Sequence, residues 1–158
     1  ASVQTPLLRK EFVMDEFQIL EAKSNGADAI LLIASVLART EIKQLSEFAQ
    51  ALSLEVLLEV HNVEELEKAI MPSLDLIGVN NRNLKSFETS LKNSFDLADK
   101  IPNEFVKISE SGIHSPNDIL ELKKYGFDGF LIGETFMKTE NPGEALENFI
   151  TEIDSKKS

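Results

Sequence analysis

Three ionisable residues stand where short apolar runs end, and their types suit proton transfer. Lys10 follows Pro6-Leu7-Leu8, Glu59 interrupts Leu57-Leu58-Glu59-Val60, and Glu110 closes Phe105-Val106-Lys107-Ile108-Ser109-Glu110. Burying a lone carboxylate is costly, so Glu59 must be protonated, paired or turned toward a polar opening. A structural ion pair between Glu59 and Lys10 is the plainer alternative, as is an exposed strand-end lysine. Asn80 and Arg82 lie two apart and share one face of an extended chain. Asn offers a donor and an acceptor to a hydroxyl, and Arg offers a planar fork to a carboxylate. Asn80, Asn81 and Asn83 could equally be turn formers. Glycine in Ser111-Gly112 and Gly133-Glu134-Thr135 lets backbone N–H groups approach an anion, although Ser-Gly alone is usually just a turn. The two histidines, His61 and His114, have no partner at metal-ligand spacing and are given no catalytic role. Ser35 has no evident base.

These residues need elements to position them, and the apolar pattern supplies two kinds. Short runs at Pro6-Leu7-Leu8, Ala29 to Ile33, Val56-Leu57-Leu58, Leu74 to Val79, Phe105 to Ile108 and Gly129 to Ile132 read as buried strands. Between them lie stretches of helical spacing. They are Phe17-Ile19-Leu20 with Ala22, Ile42-Leu45-Phe48-Ala49-Leu52, Leu66-Ala69-Ile70, Leu91-Phe95-Leu97-Ala98, Ile119-Leu120-Leu122 and Ala145-Leu146-Phe149-Ile150. Asp15 with Gln18 and Asn62 with Glu65 have capping-box spacing, and Ser115-Pro116 and Asn141-Pro142 open helices with a cap and a proline. Gly26 and Gly126 are expected to end helices.

Strand–helix alternation of this kind predicts a parallel sheet covered by helices. An open sheet would spread the polar strand ends along an edge of roughly 20 Å or more. It would bind ligands only where strand order reverses. A (β/α)8 barrel gathers every carboxyl end around one mouth, and the pattern favours that arrangement. A whole barrel takes about 250 residues; this chain has 158. The expected architecture is therefore α/β, a partial barrel of six strand–helix units, two short of a whole one. It should form one incomplete domain over 1–154, followed by a disordered tail at 155–158.

Composition narrows the function classes. Lys plus Arg total 16 against 27 Asp plus Glu, a formal net charge of −11. That balance argues against general nucleic-acid binding and against anionic membrane surfaces. There is no cysteine, hence no disulfide framework or thiol chemistry. The longest apolar run is too short to span a bilayer and no signal-peptide pattern opens the sequence, so the expected compartment is the cytoplasm.

Read in order, Leu8-Arg9-Lys10-Glu11-Phe12, Leu58-Glu59-Val60-His61, Gly78-Val79-Asn80-Asn81-Arg82-Asn83-Leu84, Ser109-Glu110-Ser111-Gly112-Ile113 and Ile132-Gly133-Glu134-Thr135-Phe136-Met137 resemble indole-3-glycerol phosphate synthases. The resemblance runs from about Pro6 to Ile150 and implies that the six units are the third to eighth of a (β/α)8 barrel, with the first two absent from this sequence. It implies a carbon–carbon lyase of tryptophan biosynthesis. Such an enzyme closes 1-(2-carboxyphenylamino)-1-deoxyribulose 5-phosphate to indoleglycerol phosphate with loss of carbon dioxide and water. It implies Lys10 as general acid, Glu59 as base or cation stabiliser, and Glu110 as a carboxylate positioning lysine or substrate. Asn80 and Arg82 are implied as substrate contacts, with Ser111, Gly112, Gly133 and the Glu134 backbone as a phosphate cradle; the Glu134 side chain should point away. Thr135 stands where the family commonly has serine. No metal or organic cofactor is implied. The family's first strand, with a lysine and a glutamate used in catalysis, is not in this sequence, so the chain alone is expected to be weakly active or inactive. Its expected partners are the phosphorylated small molecule and either further copies of itself or a complementing N-terminal segment. Two rivals remain: a barrel like phosphoribosylanthranilate isomerase, and a non-catalytic assembly module that keeps a phosphate site.

Overall fold

The computed structural model describes residues 4–83 and 86–156. Leu84 of the Gly78–Leu84 motif, and Lys157 and Ser158 of the expected tail, lie outside the described residues. The strands are β1 (Leu8–Arg9), β2 (Ala29–Ile33), β3 (Glu55–Val60), β4 (Leu76–Asn80), β5 (Val106–Glu110) and β6 (Gly129–Leu131). The helices are α1 (Glu16–Ser24), α2 (Arg39–Ala51), α3 (Val63–Ala69), α4 (Lys92–Ala98), α5 (Pro116–Lys124), α6 (Glu134–Met137) and α7 (Pro142–Lys156). The sheet has six strands in chain order, β1-β2-β3-β4-β5-β6. With no reversal of order there is no switch point of the open, doubly wound kind. Parallel strands in chain order with a helix after each form the architecture of a partial (β/α)8 barrel. The chain divides into two compact units: residues up to Gly78 with Asn103–Phe105, and Val79–Pro102 with the residues from Val106 onward.

In the first unit, β2 pairs with β3 in parallel register, Ile30 beside Val56 and Ile33 beside Glu59. Ile30, Leu31, Leu32 and Ile33 are all buried, as in a strand covered on both faces. Ile42, Leu45 and Ala49 of α2 supply one cover. Helix α1 begins on the expected capping box of Asp15 and Gln18 and ends at Asn25, with Gly26 left-handed at φ +85°. Gly26 N–H donates to Lys23 O and Ala27 N–H to Ala22 O, which satisfies the last carbonyls of the helix. Helix α2 ends the same way on Ser53, at φ +55°, where no glycine announced it. The buried face of α1 departs from the expectation: it is Ile19 and Ala22, whereas Phe17 and Leu20 are exposed. At 3.6 residues per turn, Phe17 and Leu20 lie about 160° and 100° around the helix from Ile19, off the buried stripe.

In the second unit, α5 starts on Ser115 with Pro116 in its first turn and is followed by left-handed Gly126, as its sequence predicts. Helix α7 continues through Lys156, so Ser155 and Lys156 are helical instead of part of a disordered tail. Ser155 Oγ donates to Glu152 O, and Lys156 Nζ donates to Asn117 Oδ1 and Glu152 Oε1, which holds the last turn. Asn81, for which a turn-forming role was one alternative, is a buried hub. Its Nδ2 donates to Ser109 Oγ, Glu110 O and Ser111 O, and its Oδ1 accepts from Ser94 N–H and Oγ.

Candidate active site

Each unit carries one cluster of the expected residues. In the first, the carboxyl end of β3 places Glu59 with its side chain only 5% exposed, and Lys10 just past β1 brings Nζ to 3.2 Å from Glu59 Oε2. The lysine is about half exposed and its partner is buried. Two residues on, and so on the same face, His61 puts Nε2 3.5 Å from Glu59 Oε1. Its Nδ1 lies 3.2 Å from Glu65 Oε2, which also accepts the His61 backbone N–H at 2.8 Å. Asn62 caps α3 by accepting Glu65 N–H, but the returning half of the expected capping box goes to His61 N–H. Burial pushes the Glu65 carboxyl up, and the His61 ring and N–H together with Asn62 outweigh it, leaving it below its ordinary range.

In the second unit, Asn80 ends β4 and its Oδ1 accepts the Arg82 N–H at 3.0 Å. Arg82 pairs through Nη2 with Glu134 and donates through Nη1 to Phe87 O at 3.2 Å. Glu134 also pairs with Lys138, and these two cations, Lys138 foremost, lower its carboxyl to about 2. The Arg82 fork is thus already engaged by a carboxylate of the chain itself. Glu110 ends β5 with a carboxylate buried to 1% exposure, while its carbonyl accepts Asn81 N–H.

Ser111 and Gly112 follow with φ of +65° and +69°. A Cβ on Gly112 would stand 3.1 Å from Thr89 Cβ, so both conformation and space call for glycine there. Gly133 differs: its φ is −116°, and an added Cβ would meet nothing within 4 Å. The fold does not itself require that glycine. It caps α6, a single turn of four residues, too short to carry much of a helix dipole. Thr135 Oγ1 donates to Ile113 O at 2.7 Å and lies 3.4 Å from His114 Nδ1. Among the described residues there is no group of three or more His, Cys, Asp or Glu able to hold a metal. Nor is any helix among them long and apolar enough to cross a membrane.

The family model of indole-3-glycerol phosphate synthase matches residues 1–149. The chain belongs to that family. It is 52% identical over 151 residues to the indole-3-glycerol phosphate synthase of Bacteroides thetaiotaomicron, covering 96% of this chain and 58% of that one. To the synthase of Campylobacter jejuni subsp. doylei it is 49% identical over 144 residues, covering 91% and 56%. The chain therefore spans little more than half the length of these relatives. Among solved structures it is similar to 3-hexulose-6-phosphate synthase from Salmonella typhimurium, with a TM-score of 0.78 and 14% identity over 96% of this chain and 74% of that one. It is also similar to a tryptophan synthase alpha-subunit from Pyrococcus furiosus, at a TM-score of 0.73, 18% identity and 97% and 68% coverage. At such identities the likeness is one of fold.

Of the three outcomes open to Glu59 in its apolar run, protonated, paired or turned toward a polar opening, the Lys10–Glu59 contact is the paired one. His61 and Glu65 are the neighbours that sequence reasoning left out. Their signal was the spacing of two between Glu59 and His61 and of four between His61 and Glu65.

Proposed function

We propose that the chain carries catalytic and binding groups of an indole-3-glycerol phosphate synthase. The observation that supports this most is the Lys10–Glu59 pair, an ammonium and a buried carboxylate 3.2 Å apart at the ends of β1 and β3. Ring closure needs an acid at the ketone oxygen while the aromatic carbon attacks, and a carboxylate to stabilise the cationic ring and assist dehydration. Lys10 is the acid in this reading, and Glu59 the carboxylate. The contact with Glu59 fixes the position of the Lys10 ammonium, while the carboxylate itself favours the charged form of the lysine. Glu110 positions substrate or lysine.

In the second unit, Asn80 contacts a ribulose hydroxyl. The turn at Ser111-Gly112 and the backbone at Gly133 and Glu134 receive the phosphate. Glycine at 133 is unexplained by packing, which supports a role in admitting an anion close to the backbone. Arg82 engages the substrate carboxylate by exchanging it for Glu134. A cytoplasmic setting accompanies the biosynthetic role. Full activity needs the first-strand lysine and glutamate of the family, supplied by a complementing N-terminal segment. A homo-oligomer is the other partner in this reading.

The test is indoleglycerol phosphate formation from the anilino-deoxyribulose phosphate, followed by indole fluorescence. The chain is assayed alone and with the N-terminal portion of the Bacteroides thetaiotaomicron relative added in trans. Product that rises on addition supports the proposal. Phosphate-analogue binding without turnover in either mixture points to a binding module and overturns it.

A further inference from the structure

The reaction proposed above leaves His61 without a task, yet the ring is held with care. Its side chain is 11% exposed. Glu65 Oε2 accepts the His61 N–H at 2.8 Å and lies 3.2 Å from Nδ1, while Asn62 Nδ2 donates to Glu65 Oε1 at 3.0 Å. The Glu65 carboxylate is thereby fixed through both oxygens. On the other edge of the ring, Nε2 stands 3.5 Å from Glu59 Oε1, an ion-pair separation longer than a good hydrogen bond. Lys10 Nζ takes the other Glu59 oxygen. Ionisable groups thus reach this cluster from three elements: Lys10 from the end of β1, Glu59 from β3 and Glu65 from α3.

A neutral imidazole has one N–H and one lone pair. With the N–H on Nδ1 for Glu65, the Nε2 lone pair would face the Glu59 carboxylate, negative against negative. A proton on both nitrogens makes both contacts attractive. Burial of the ring and the Lys10 ammonium oppose a charge there, but two carboxylates on opposite edges of the ring favour the imidazolium.

We propose that His61 is a positioning residue for Glu59: a doubly protonated ring, fixed by Glu65, that holds the Glu59 carboxylate by one oxygen while Lys10 holds the other. Its purpose rests on Glu59 being the working carboxylate of the reaction above, but the protonation of the ring does not. A histidine that merely fills space beside Glu65 would carry a single proton at pH 7.

The deciding experiment is nitrogen-15 NMR of the full chain labelled at histidine. Only His61 and His114 report, and exposed His114 serves as an internal reference. The expected result is protonation of both His61 nitrogens at pH 7, with a titration midpoint above that of His114 by about one pH unit, a tenfold change in the protonation ratio. Glu65→Gln and Glu59→Gln should each bring the midpoint back toward His114. A singly protonated ring at pH 7 in the unsubstituted chain overturns the proposal, and so does a midpoint indifferent to Glu59→Gln. The first of these measurements needs no substitution, so a variant that misfolds cannot leave the question undecided. In the complemented turnover assay, His61→Gln should lower kcat about tenfold with KM within about twofold; unchanged kcat overturns the positioning role. Absence of turnover by the unsubstituted chain would count against the proposed function, while the NMR result would still decide the state of the ring.

Discussion

Lys10 and Glu59 are unequal partners: a half-exposed ammonium leans on a carboxylate that the fold has buried at the end of β3. Replacing Lys10 by Met keeps the apolar stem and removes the proposed proton donor, so turnover should fall by about 10²- to 10⁴-fold, the usual share of a positioned acid. Circular dichroism of the variant should match the parent. Glu134 gives a different kind of prediction. Lys138 and Arg82 lower its carboxyl to about 2, so the pairs contribute above the ordinary carboxylate value of about 4.5 and are lost as pH falls through about 2. Thermal melts of Glu134→Gln against the parent should differ by a constant amount from pH 7 to 5 and converge as pH falls below 4. Lys138 is largely exposed and Arg82 about one-third exposed, so that difference should be small and should shrink in high salt. Glu59 could be read from sequence because a lone acid in an apolar run demands a partner. His61 could not, because its partners come from β3 and α3 and the sequence shows only their spacing.

At the level of elements, the connections after β4 and β5 are locked by Asn81. Its side chain bonds to Ser94, Ser109, Glu110 and Ser111, so Asn81→Ala would strand several buried donors and acceptors at once. Each orphaned group costs about 1–3 kcal/mol, and the loss should appear as a large drop in the midpoint of urea unfolding. Gly112→Ala forces a side chain into φ +69° and against Thr89; it should cost about 1–2 kcal/mol and weaken phosphate binding. Gly133→Ala provides the contrast. Its space is open, so stability should hold within about 0.5 kcal/mol while phosphate affinity, measured by calorimetry, falls. Caps and proline starts were legible because their chemistry is local to three or four residues. The turn at Ser53 was not, because a serine at φ +55° is chosen by its surroundings. The network around Asn81 was not legible for a similar reason, since the same residue type serves turns and buried networks alike. The exposed side of α1 shows the limit of counting apolar residues without fixing which stripe faces inward.

For the whole molecule, chain-order pairing of six parallel strands is what separates this sheet from an open dinucleotide-type one. The alternation of short apolar runs with amphipathic stretches fitted an open sheet as well; the polar residues at the carboxyl ends of the runs favoured the barrel order. The division into two compact units was not legible, since it falls at Gly78 inside the uninterrupted run of β4. Strand β2 is buried over most of its length, and Leu32 fully so. Leu32→Ala should cost about 2–5 kcal/mol, read from chemical unfolding. In the proposed function, a chain of net charge −11 would hold the phosphate through backbone N–H groups, so its binding should tighten as salt screens the overall repulsion.

The most direct test of the central claim is single-turnover ring closure in the complemented chain, comparing the parent with Glu59→Gln. The Lys10–Glu59 account predicts that substrate still binds within a few-fold of the parent while formation of the indole product slows by at least about a hundredfold. Product formation at the parental rate in Glu59→Gln would contradict it.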